Sequence, residues 1–139
     1  MDEFTDEPQQ GDFLIRNVMG MDERNGMLSI GETLKEGQIV QFHLRDAETS
    51  AQDLDALLTE YARVHPIYED TGALLFSCLG RGSGFYGRPD HDTDMFKEKV
   101  NGMPLTGFFC NGEIGPVAGT TFLHGYTSSF GIFRPKHGV

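Results

Sequence analysis

Two periods of hydrophobic positions run along the chain. Val40, Phe42 and Leu44 alternate with Gln41, His43 and Arg45. That is the two-residue period of a half-buried strand, and it predicts a strand over residues 38–45 with His43 and Arg45 on the polar face. Ala51, Leu54, Leu57, Leu58 and Tyr61 follow the helical spacing instead. They predict a helix capped by Thr49 or Ser50, with Asp53 in its first turn and Pro66 just past its end. The unbroken apolar run at residues 73–78 predicts a central strand covered on both faces.

Weaker patterns fill in the remainder. Residues 13–19 and 27–30 read as strands, and Asn25-Gly26 suits the turn of a hairpin between them. Residues 80–90 read as a loop, and Asp92 or Thr93 caps a short helix running through Met95, Phe96 and Val100. Residues 105–110 form a strand, 112–119 a turn, 120–124 a strand, and 125–133 a segment rich in strand formers. The order is hairpin, strand, helix, strand, helix, strand, strand. Only the middle resembles a βαβ unit, so the expected fold is α+β. It is a single domain with a mixed, mainly antiparallel sheet of about six strands and two helices. Residues 1–11 read as a flexible acidic lead-in, 12–135 as the domain and 136–139 as a tail.

Charge narrows the partners. The chain has 139 residues and a formal net charge of −10. That argues against a nucleic-acid backbone or an anionic membrane surface, both of which need a positive face. Two cysteines are too few for a disulfide framework, and an acidic N-terminus is unlike a signal peptide. No apolar run reaches membrane-spanning length, so the expected location is the cytoplasm.

Glycine, at 18 residues, is over-represented, and several glycines fall in two matched segments. Leu75-Phe76-Ser77-Cys78-Leu79-Gly80-Arg81-Gly82 and Gly107-Phe108-Phe109-Cys110-Asn111-Gly112-Glu113-Ile114-Gly115-Pro116 share one plan. Each is an apolar strand with a cysteine near its end, followed by a glycine-rich loop carrying a charge. Loops at the ends of buried strands are common places for sites. Arg81 is suited to gripping a carboxylate bidentately, or to an ion pair with Glu113 or Asp46. Glu113 is suited to meeting an amino group, or to bonding local amides as a turn residue. Cys78 and Cys110 read first as small buried hydrophobes and second as nucleophiles, since sequence fixes no histidine beside either. A metal site would need Cys78, Cys110, His43 and His124 to converge without any ligand spacing to support it, so none is expected. His65, His91 and His137 are expected in solvent.

The two segments, together with Phe42-His43-Leu44-Arg45-Asp46-Ala47 and His124-Gly125-Tyr126-Thr127, resemble the C-terminal half of the FIST sensory domain (F-box and intracellular signal transduction). The resemblance runs from about Asp12 to Phe133. It implies an intracellular signalling module that binds a small ligand, an amino acid among the candidates. It also implies a FIST N-terminal half or a signalling output domain as partner. Apolar surface left by an absent half would favour a homodimer.

The expected site lies on the loops after residues 73–79 and 105–111. Arg81, Glu113, Asn111, Cys78, Arg45, Asp46, His124 and Tyr126 are its candidates, with Phe85, Tyr86 or Tyr126 as aromatic walls. No cofactor and no catalytic residue is expected. Two alternatives stand beside this one: a protein-interaction module using the aromatic loop 80–90, and a thiol enzyme with Cys78 or Cys110 bonded to His43 or His124.

Overall fold

The computed structural model describes residues 11–136. Apart from Gly11 and Lys136, the expected lead-in and tail, and His137 with them, lie outside the described residues. The elements in chain order are β1 (Val18–Asp22), β2 (Met27–Ile30), α1 (Ala47–Val64) and β3 (Gly72–Cys78). A 3₁₀ turn (Leu79–Arg81), α2 (Ser83–Tyr86) and α3 (His91–Lys99) follow. The chain ends with β4 (Leu105–Cys110), β5 (Glu113–Val117), β6 (Thr120–His124) and β7 (Ser128–Phe133). The class is α+β with mainly antiparallel pairing, as the patterning indicated.

The chain divides into two compact units. The larger holds residues 44–113 and those from 126 on. Its sheet has the order β4-β3-β7, with β3 parallel to β4 and antiparallel to β7. β3 is therefore the central strand, and α3 is the crossover that a parallel β3–β4 pair requires. The two matched glycine-rich segments become neighbours in register: Leu75 opposite Gly107, Phe76 opposite Phe108 and Cys78 opposite Cys110. Ala73, Leu75 and Ser77 share one face of β3, and all three are buried. Leu54 and Leu58 of α1, Phe96 of α3, Val100 and Met103 join Ala73 in the core. Phe96 is 0% exposed and its ring stacks on Phe130 of β7 at 5.3 Å.

The helix boundaries differ from those the sequence suggested. Asp46, not Thr49 or Ser50, caps α1: its Oδ1 accepts from the Thr49 backbone N–H at 2.8 Å, and Oδ2 from the Thr49 hydroxyl at 2.6 Å. Asp53 thereby falls beyond the first turn. Leu57, placed in the core stripe, is 63% exposed, because the buried face of α1 narrows to Leu54 and Leu58. α3 begins one residue before Asp92, with Asp90 in the left-handed region at its N-cap. The expected loop 80–90 contains the 3₁₀ turn and α2.

The smaller unit comprises the described residues up to His43 and residues 114–125. It holds two hairpins, β1–β2 and β5–β6. The first closes as the Asn25-Gly26 step implied. Gly26 has φ +64°, and the Asp22 carboxylate accepts from the backbone N–H groups of Arg24 and Asn25. Its first strand, however, starts at Val18, five residues later than expected. The expected turn over 112–119 is mostly the strand β5. Pro116 is compatible with it because β5 pairs on one side only. The turn shrinks to Ala118-Gly119, both at positive φ (47° and 78°), the signature of a type I′ hairpin. Residues 38–45 are not a strand: among the described residues no strand pairs with them, and Phe42 and Leu44 are 75% and 98% exposed. The alternation there lacks the partner that a ladder needs.

Candidate functional site

The 3₁₀ turn and the start of α3 both sit at the C-terminal end of β3, and this brings together charges far apart in sequence. Arg81 donates through Nε to Asp92 Oδ2 at 2.8 Å and through Nη2 to Oδ1 at 3.1 Å, a bidentate pair. Both side chains are 7% exposed. Arg81 Nη1 donates to Ser50 Oγ of α1 at 2.8 Å, so every nitrogen of the guanidinium has a protein acceptor. The expected partners Glu113 and Asp46 are thus replaced by Asp92, a residue expected only as a helix cap. Asp92 Oδ2 also accepts from Ser128 Oγ at 2.7 Å and Ser77 Oγ at 3.3 Å, tying β7 and β3 to α3. Burial opposes ionisation of Asp92, but the hydrogen bonds from Arg81 and Ser128 outweigh it and hold its pKa below the ordinary carboxylate value.

His91 belongs to the same cluster and is buried, not solvated. Its ring lies flat on Tyr86, centroids 3.6 Å apart and planes within 2°. His91 Nδ1 is 2.9 Å from Asp92 Oδ1. An ionised carboxylate can only accept, so Nδ1 carries the proton and Nε2 is the nitrogen with a lone pair to accept a hydrogen bond. Tyr86 in turn meets Ser50 Oγ at 3.1 Å.

A cavity of about 580 Å³ opens beside this cluster. Ser77, Arg81, His91 and Asp92 form its polar wall, with Ser83, Arg88 and Asp90 further out. Leu75, Leu105, Phe108 and Phe109 supply the apolar side from β3 and β4. Its volume is in the range of small-molecule sites, and an apolar wall with a few fixed polar groups is their usual make-up.

The remaining candidates are used elsewhere. Arg45 lies over the rings of Phe85 (3.6 Å) and Tyr126 (4.4 Å) and donates to the Gly80 carbonyl. That brings Arg45 and Tyr126 together, and turns Phe85 toward the protein. Tyr126 has φ +65°, next to Thr127, which is held by Glu113. Glu113 is 1% exposed. Its Oε2 accepts from the Thr127 backbone N–H and hydroxyl, and its Oε1 from the Gly112 N–H and the Cys110 thiol. Cys78 is buried, with its backbone N–H bonded to the Thr127 carbonyl at 3.0 Å. Asn111 is exposed in the turn after β4, and Asp46 is occupied as the α1 cap. His124, in the smaller unit, bonds the Gly115 carbonyl through Nε2 at 2.9 Å and so braces the β5–β6 hairpin. His43 packs edge-on against Phe13, and His65 accepts from Arg134 at the end of α1. The histidines named for a thiol enzyme therefore have other partners, and the Cys110 thiol is directed at Glu113 and the Ser77 carbonyl.

Among the described residues no group of three or more His, Cys, Asp or Glu is arranged to hold a metal ion. No helix among them is long and apolar enough to cross a membrane.

Comparison with known proteins agrees with the motifs. A family model described as the FIST C domain matches residues 3–116. Uncharacterized protein Rv0628c of Mycobacterium tuberculosis is 45% identical over 133 residues, covering 96% of this chain and 34% of that protein. F-box/LRR-repeat protein At5g63520 of Arabidopsis thaliana is 30% identical over 132 residues, covering 84% of this chain and 25% of that protein. F-box only protein 22 of Pongo abelii is 40% identical over a shorter stretch of 48 residues. The chain thus spans about a third of the length of the mycobacterial relative.

Proposed function

Since the chain belongs to the FIST C domain family, a signal-transduction sensory family, we propose that it binds a small ligand in the cavity between α2–α3 and β4. The ligand class we favour is an amino acid. The observation that carries this reading is the cavity itself, with the buried Arg81–Asp92 pair and His91 fixed in its wall. The fixed cluster supplies preorganised polar contacts at one end, while Leu105, Phe108 and Phe109 provide an apolar side.

The role of Arg81 differs from a direct carboxylate clamp. Its donors are taken by Asp92 and Ser50, so it acts as a positioning residue for the polar wall. Direct contact falls to His91 Nε2, Ser83 and Arg88. Arg88 is only half-engaged, by an exposed pair with Asp94 at 2.8 Å.

Isothermal calorimetry with a panel of amino acids tests the proposal. Binding of at least one, weakened in Arg88→Ala and His91→Ala, is the expected result. No heat from any member, or affinity unchanged in both variants, would sink it.

A second reading draws on the surface. Met19, Met21, Met27 and Leu28 of the β1–β2 hairpin are exposed, as are Phe108 and Phe109 of β4. Exposed apolar side chains in such number favour a protein partner. Our choice is a FIST N-terminal half or an output domain in a longer polypeptide, with a homodimer as the alternative. Light scattering on the isolated chain separates the last case, since a monomer excludes it.

A further inference from the structure

The register of the sheet places the two cysteines side by side. Cys78 and Cys110 are directly paired on the parallel strands β3 and β4. Paired residues of neighbouring parallel strands project to the same face, and adjacent strands lie about 4.8 Å apart. That spacing falls within the Cα separation of roughly 4.4–6.8 Å that a disulfide spans. The sulfur of Cys110 already leans toward β3, lying 3.6 Å from the Ser77 carbonyl oxygen. The two thiols are also close enough to influence each other's ionisation. Both cysteines are reduced in the structure. Neither thiol lines the cavity, whose β3 residues are Leu75 and Ser77.

We propose that Cys78 and Cys110 form a cross-strand dithiol that small-molecule disulfides oxidise to an intramolecular disulfide. Cys110 reacts first, because it is half-buried while Cys78 is 6% exposed. Its thiolate attacks one sulfur of the small disulfide. That S–S bond breaks and one small thiol leaves, taking up the proton Cys110 lost. The Cys78 thiolate then attacks Cys110 Sγ in the mixed disulfide and expels the second small thiol, which takes the second proton. The chain loses two electrons and two protons, and the small disulfide gains them as two thiols.

Oxidation has a structural consequence because the Cys110 thiol is one of the donors that Glu113 Oε1 receives. In the disulfide that donor is gone, and the buried carboxylate keeps only the Gly112 and Thr127 donors. The turn after β4 and the Tyr126-Thr127 segment are therefore where the two redox states differ.

The test equilibrates the whole chain with glutathione disulfide, blocks remaining thiols by alkylation, and maps peptides without reduction. The expected result is a Cys78–Cys110 linked peptide pair in monomeric protein, with both alkylatable thiols lost together. A lasting glutathione adduct on Cys110, a disulfide between chains, or two thiols still alkylated would each overturn it. Proximity is read separately with phenylarsine oxide, which joins two thiols through one arsenic with loss of water. The expected result is one arsenic per wild-type chain, lost in Cys110→Ser. No uptake by the wild type would overturn the proposal without any variant having to fold.

Discussion

Replacing Asp92 with alanine would remove the acceptor that Arg81, Ser77, Ser128 and His91 all share. The guanidinium would stay in place with 7% exposure and only Ser50 to bond. Removing one partner of a buried pair typically destabilises by about 3–5 kcal/mol, because the other charge is left uncompensated. Domain stabilities run at roughly 5–15 kcal/mol, so the loss is a large fraction of the total. In urea, with a slope of about 2 kcal/mol/M, a loss of about 4 kcal/mol lowers the midpoint by about 2 M. Urea titration followed by circular dichroism measures it. The double variant Arg81→Met/Asp92→Leu removes both charges and is expected to recover most of that loss. A single-variant loss below about 1 kcal/mol, or a double variant at the sum of the two singles, would refute the assignment of Asp92 as the organising acceptor.

Five further outcomes are expected, the first at the same carboxylate. Asp92 has its pKa lowered in the fold, so its contribution is present above the unfolded value of about 3.9 and is lost as pH falls through the lower folded value. Acid titration of wild type against Asp92→Asn should therefore show the difference in stability shrinking below about pH 4. A Cβ at Gly107 would stand 1.9 Å from the Leu75 carbonyl oxygen. The strands would have to part, and Gly107→Ala should cost about 3 kcal/mol or more in thermal or urea unfolding. Tyr61 has a buried hydroxyl without a partner among the described residues. Tyr61→Phe should hold or raise stability by about 1 kcal/mol by calorimetric melting, while Leu58→Ala, at 4% exposure, should lose about 2–5 kcal/mol. Burial first, and then the hydrogen bond to Glu113, raise the Cys110 thiol above its ordinary value of 9.0. Its alkylation rate should therefore still be climbing at pH 9, and a plateau below that would contradict the contact.

Much of the larger unit was legible because local pattern and final packing agree there. The apolar run 73–78 became the central strand, and the two glycine-rich segments proved to be parallel neighbours in register. What failed did so for identifiable reasons. The alternation at 38–45 marks a strand only if another strand lies beside it, and among the described residues none does. Residues 112–119 carry the Gly and Pro of a turn, but a strand that pairs on one side only, as β5 does, tolerates both. The candidate site moved because Asp92 was invisible as a partner. An acid in a helix's first turn reads as dipole compensation, and nothing local says that α3 folds back to set it against Arg81. His91 was misplaced for the same reason, since its burial depends on stacking against Tyr86. Arg81 stands out in the sequence by its position between two glycines after a buried strand, whereas its partners Asp92 and Ser50 do not.

The central claim is that the cavity between α2–α3 and β4 is the ligand site. Amide chemical-shift mapping of the isotope-labelled chain against a panel of amino acids addresses it most directly. The account predicts saturable shifts concentrated in residues 81–93 and 105–109 for at least one amino acid. Shifts confined to other residues, or none from any member at millimolar concentration, would contradict it.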